Sequence, residues 1–175
     1  MSIAEIERFA ADLKSNAALK AEAEKAQADK SHANPMDRAV AFAASKGYAF
    51  TADSLMAGGC GRLFEGTPAQ MWASLSKLAA LPPETLICSG HEYTASNLRF
   101  AATLEPDNSR LISRIAWVAE RRAKGLPTVP VPLSVELATN PYLRAHLPAL
   151  KTAVGLPDSD DVTVFAEIRA RKDKF

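Results

Sequence analysis

The sequence has little of what would set it apart from ordinary globular chains. Its 175 residues include two cysteines, Cys60 and Cys88. That is too few for a disulfide framework, and the pair lacks the spacing of a structural zinc site, so free thiols are expected. No charge of one sign dominates: 21 basic and 20 acidic side chains leave a net charge of +1. A chain so balanced has no long-range field to draw in nucleic acid or an anionic membrane. No apolar run reaches the roughly 18 residues that cross a bilayer, and Met1 is not followed by a basic-then-apolar secretory signal. These absences predict a cytoplasmic protein with neither nucleic acid nor membrane as partner. What is present is 47% apolar residues, enough to bury the core of one domain or two small ones.

The texture of the chain changes near Gly58. The first 58 residues hold 7 basic and 8 acidic side chains, are rich in alanine and lack tryptophan. Ile3, Ile6, Phe9, Ala10 and Leu13 recur at the spacing of one helix face. An alanine, lysine and glutamate run over 17–30 has high helix propensity but little to bury. A further helix is expected to start at Asn34-Pro35 and to end at Gly47. Beyond Gly58, Thr67-Pro68 opens a helix through Met71, Trp72, Leu75 and Leu78, and Pro82-Pro83 stops it. Thr85 to Cys88 reads as a short buried strand, and Ser89-Gly90 as a turn. Helices are expected over 94–104, 109–124, 133–138, 147–154 and 161–172. The predicted fold is mostly α with one or two short strands, divided into a helical segment 1–57 and a second region 58–175.

The second region carries recognisable strings: Gly59-Cys60-Gly61-Arg62-Leu63-Phe64-Glu65-Gly66-Thr67-Pro68, then Ser89-Gly90-His91-Glu92-Tyr93-Thr94 and Asn97-Leu98-Arg99-Phe100. Glu105-Pro106-Asp107-Asn108, Pro127-Thr128-Val129-Pro130, Asn140-Pro141-Tyr142-Leu143-Arg144 and Arg169-Ala170-Arg171-Lys172-Asp173-Lys174-Phe175 follow in order. Together these resemble glyoxalase II, the hydroxyacylglutathione hydrolase family of the metallo-β-lactamase superfamily, over about residues 48–175. The resemblance implies the helical C-terminal part of that fold and a centre of zinc or iron that activates water against a glutathione thioester. It carries Asp53 to a metal-bridging position and His91 to a ligand of one metal. It carries Arg62, Tyr93, Arg169 and Lys172 to the holding of glutathione, the last two as a pair on a substrate carboxylate. Phe64 stands where many relatives have tyrosine.

The family's Thr-His-x-His-x-Asp-His signature does not occur upstream of Asp53, where His32 is the sole histidine. Two protein ligands fall short of the three or four that zinc takes. The resemblance therefore implies a chain truncated relative to the family and inactive by itself, without stoichiometric metal and with no catalytic residue assigned. The first 57 residues instead resemble Nif-eleven-like leader peptides, through Ile6-x-x-Phe9 and Ala39-Val40-Ala41-Phe42-Ala43 leading to Gly47-Tyr48-x-Phe50-Thr51-x-Asp53-x-Leu55. Gly58-Gly59 sits where such leaders are often cut. That likeness implies a precursor or interaction protein whose N-terminal helices meet a modifying enzyme; a pseudoenzyme that binds glutathione conjugates is a third reading.

Simpler readings stand beside these. Asp53 also suits the first turn of a helix capped by Thr51. Cys60 reads as a buried or idle thiol. Gly58-Gly59 also reads as a flexible turn. His32 and His146 read as surface residues, and the basic cluster Arg169, Arg171, Lys172 and Lys174 as a solvated helix end.

Overall fold

The computed structural model describes residues 17, 21–22, 24–25 and 43–175. The predicted leader-like helices, and His32, lie outside the described residues apart from a few positions. From Ala43 to Ser45 the chain is helical, and Gly47, at φ +77°, ends that stretch as expected.

Five strands and six α-helices follow among the described residues. In chain order they are β1 (Tyr48–Ala52), β2 (Leu55–Met56), β3 (Gly59–Cys60), α1 (Pro68–Ala79), β4 (Leu86–Ser89), α2 (Thr94–Leu104), α3 (Ser109–Ala123), β5 (Val131–Pro132), α4 (Leu133–Thr139), α5 (Pro148–Ala153) and α6 (Asp161–Lys174). A single 3-10 turn, Pro141–Leu143, lies between α4 and α5. The mostly helical class holds, and the helix boundaries agree with the proline and cap signals to within about two residues. The expectation of one or two strands does not. β1, β4 and β5 form a three-stranded sheet in the order β1-β4-β5, and β2-β3 is a separate hairpin that spans Gly58. The additional strands β2, β3 and β5 have two residues each and carry no periodicity of their own.

The helix starts have local causes. Thr67 caps α1 with a reciprocal box: its side chain accepts from the Gln70 N–H, and the Gln70 side chain accepts from the Thr67 N–H. Asn108 and Asp160 cap α3 and α6 one way, their side chains accepting from N–H groups of the first turn. The helices close around one main core that includes Leu55, Leu75, Ile87, Phe100, Leu133, Tyr142, Phe165 and Ile168. A satellite core of Leu98, Ala101, Leu111 and Val118 joins α2 to α3.

The Thr51-capped helix does not form. Thr51 lies within β1, its hydroxyl donates to the Leu55 carbonyl at 2.6 Å, and Asp53 follows in a turn. β1 pairs parallel to β4 with Tyr48 opposite Leu86 and Phe50 opposite Cys88, then loses register at Ala52. Ala52 adopts φ +44°, a conformation that side chains other than glycine rarely take. The Gly90 N–H reaches the Ala52 carbonyl at 2.9 Å. This bulge turns the chain out of the sheet, and the parallel pairing brings the carboxyl ends of β1 and β4 side by side, with Asp53 after one and His91 after the other.

Candidate functional site

Those two strand ends form one wall of a cleft of about 960 Å³. All six residues singled out by the resemblance line it: Asp53, His91, Arg62, Tyr93, Arg169 and Lys172. Asp53 and His91 form a contact pair, Nε2 to Oδ2 at 3.3 Å, with both side chains about half exposed. The His91 ring stacks on Tyr93, centroids 5.0 Å apart and planes 16° from parallel, which fixes the imidazole from its other side. Glu92, between them, turns away. It accepts from the Thr128 N–H at 2.8 Å and binds the Thr128 and Thr94 hydroxyls, tying the His91–Tyr93 loop to the start of α2.

The opposite wall is the last turns of α6. Lys172 donates to the Ser96 carbonyl at 3.2 Å and lies over the rings of Phe100 and Phe175. Desolvation of this ammonium, with repulsion from Arg169, Arg99 and Arg62, holds it below the ordinary lysine range. Arg169 is buried. Its Nη1 donates to the Cys60 carbonyl at 3.0 Å, its Nη2 to Asp173 at 3.0 Å, and its guanidinium covers the Tyr142 ring at 5.4 Å. Arg169 and Lys172 thus share the cleft face of α6, as their three-residue spacing requires, but both meet protein acceptors there. Arg62 is exposed, with its Nε 3.6 Å from Asp173. The neighbouring Arg171 pairs with Glu167 and the Val154 carbonyl, and so belongs to helix packing rather than to the cleft.

Cys60 is a buried thiol among the residues of the same cleft. Burial pushes it up to about 12, against a smaller opposite pull from Arg169, so it is protonated at neutral pH and is no nucleophile. His146 is exposed, as read from the sequence. Gly58 lies in the turn and Gly59 opens β3, and both are buried and held by side chains rather than flexible. The Gly58 N–H donates to Glu136 at 2.9 Å, and Asn140 Nδ2 donates to the Met56 and Gly59 carbonyls at 3.2 and 3.0 Å. Asn97 Nδ2 reaches the Ala57 carbonyl at 3.1 Å. Glu136 is paired in turn with Arg114, both buried. This network holds the hairpin whose Cys60 carbonyl receives Arg169.

Sequence reading missed Asp173, which joins Arg62 to Arg169, and Ser96, which receives Lys172. Asp173 had a signal, its four-residue spacing from Arg169 on a helix; Ser96 had none.

Zinc takes three or four protein ligands. Among the described residues, Asp53 and His91 are the two donors of that kind facing each other in the cleft, and no group of three His, Cys, Asp or Glu side chains converges anywhere. The described residues do not fit a resident zinc.

Residues 92–175 match the family described as Hydroxyacylglutathione hydrolase C-terminus. A hydroxyacylglutathione hydrolase of Fuscovulum blasticum is 69% identical over 127 residues, 73% of this chain and 50% of that protein. One from Ruegeria pomeroyi is 64% identical over 126 residues, covering 72% and 49%, and one from Rhodobacter capsulatus 59% over 130 residues, covering 74% and 51%. The chain spans about half the length of the curated relatives it matches. Its C-terminal part is therefore similar to the C-terminal part of hydroxyacylglutathione hydrolase.

Proposed function

We propose that the cleft binds a glutathione thioester or glutathione conjugate, in the manner of a hydroxyacylglutathione hydrolase, and that the chain by itself holds such a ligand without hydrolysing it. The observation that carries this reading is the convergence of Arg62, Tyr93, Arg169 and Lys172 on the same cleft as Asp53 and His91. Four cationic side chains, Arg62, Arg99, Arg169 and Lys172, line it against Asp53 and Asp173. This excess of positive charge suits a ligand bearing carboxylates. Tyr93 and Phe64 add exposed rings at the rim for the apolar parts of the ligand.

Hydrolysis of a thioester needs an activated water or a primed nucleophile. In this family a metal supplies the first, and two donors do not hold a zinc in the order such a step needs. Cys60, raised and buried, does not supply the second.

Arg62 and Tyr93 are more than half exposed, so their contacts are screened, and a dissociation constant of about 1 mM is expected. Chemical-shift titration of glutathione into the purified, isotope-labelled chain tests the binding. Shifts at His91, Tyr93 and α6 that weaken in Lys172→Ala are the expected result, and a titration with no shifts there refutes it. A metal-dependent thioester hydrolysis lost in His91→Ala would overturn the second half of the reading.

A further inference from the structure

We infer that Asp173 is the resident carboxylate of the cleft's anion-binding position, and that an incoming ligand carboxylate binds Arg169 and Arg62 by taking its place. The inference rests on the cleft being a site for an anionic ligand. Its own grounds are geometric.

Arg169 is buried, and its two terminal nitrogens are both used: Nη1 on the Cys60 carbonyl and Nη2 on Asp173 Oδ1, each at 3.0 Å. The first partner is main chain in a clamped hairpin and is not displaceable. The second is a side chain about half exposed to solvent. The same Oδ1 lies 3.6 Å from Arg62 Nε. One carboxylate oxygen thus takes the position that a ligand carboxylate bridging Arg169 and Arg62 would take, since planar guanidinium groups recognise a carboxylate along the N–H directions.

The location of Asp173 supports the reading. It sits in the last turn of α6, where the carbonyl end of the helix dipole disfavours a negative charge. Its favourable partners are two cleft cations, Arg169 one turn earlier on the same helix and Arg62 from the loop after β3, and not the backbone of the helix end. Asp53, the other acid of the cleft, is on the opposite wall against His91 and does not serve this group. Lys172 meets Ser96, and Arg99 has no ion-pair partner among the described residues. Replacing Asp173 by a neutral isostere therefore leaves Arg169 and Arg62 in place, relieves the helix end, and exposes the anion position.

The sign of the effect separates this role from a merely structural one. If Asp173 only orients Arg169, then Asp173→Asn, which keeps an acceptor oxygen, leaves affinity unchanged, and Asp173→Ala lowers it. If Asp173 occupies the position, both variants raise affinity for a carboxylate.

The experiment uses the whole chain and two probes. Sodium acetate is titrated while the Nε–H resonances of Arg62 and Arg169 are followed by NMR, and glutathione is titrated in parallel with its glycyl amide, which lacks the terminal carboxylate. In Asp173→Asn the acetate midpoint is expected to fall about three- to tenfold, and glutathione affinity to rise by a similar factor. The amide should show no gain. Equal or higher acetate midpoints in both variants, with thermal unfolding unchanged, overturn the inference. If acetate behaves as expected but glutathione binds neither protein, the glutathione reading fails and the role of Asp173 stands.

Discussion

Glu136 offers the sharpest test of how the hairpin behind the cleft is held. The residue is fully buried, and one carboxylate oxygen pairs with Arg114, whose guanidinium also donates to Thr139 at 2.6 Å. The other oxygen accepts from the Gly58 N–H and from Asn140 Nδ2, both at 2.9 Å. Glu136→Gln keeps the size of the side chain. It leaves the Arg114 cation without a counter-ion in the interior, and it points an amide NH2 at groups that are themselves donors. Removing one partner of a buried pair costs about 3–5 kcal/mol. The unsatisfied Gly58 N–H falls within that figure, because contacts sharing one network do not add. For a domain of this size each kcal/mol shifts the midpoint by roughly 2–4 °C, so a fall in Tm of about 6–20 °C is expected. Urea unfolding followed by circular dichroism, with thermal melts on the same samples, measures it. A loss under about 1 kcal/mol would show that the pair is hydrated and that the hairpin is held by other contacts.

Two further outcomes follow from the residues around it. The Cys60 thiol is raised by burial from an ordinary value of 9.0 to about 12 in the folded chain, so folding is favoured by the neutral thiol. Its contribution is complete below pH 9 and is lost as pH rises from about 9 to 12. Unfolding free energy measured across that range should fall less steeply in Cys60→Ala than in the parent chain, and equal slopes would refute the assignment. At Gly61, a Cβ would lie 2.4 Å from the Asp53 carbonyl oxygen, which accepts the Gly61 N–H at 2.7 Å. Gly61→Ala is expected to cost about 1–3 kcal/mol and to move the Asp53 and His91 resonances, whereas a variant of parental stability and spectrum would contradict so close an approach.

Much of the helical framework was legible because its causes are local. Thr67-Pro68 with Gln70 builds a cap from three neighbours, Pro82-Pro83 ends the helix it started, and Asn108 and Asp160 satisfy N–H groups two or three residues away. Such signals are complete within one turn of chain. The six residues that the family resemblance marks line one cleft.

Tertiary structure alone decided the rest. The same local logic placed Asp53 in a capped helix, and it failed because Tyr48–Ala52 finds a parallel partner in Leu86–Ser89, far along the chain. Hydrogen bonds across a sheet outweigh one cap, and no local pattern announces them. The burial of Glu136 and Arg114, the raised thiol of Cys60, and the occupation of Arg169 by Cys60 and Asp173 are likewise properties of what packs around a residue rather than of the residue itself. Residue type sets which charges and donors a chain owns; desolvation and the distance to the next charge, which exist only once the chain is folded, set what those groups are free to bind.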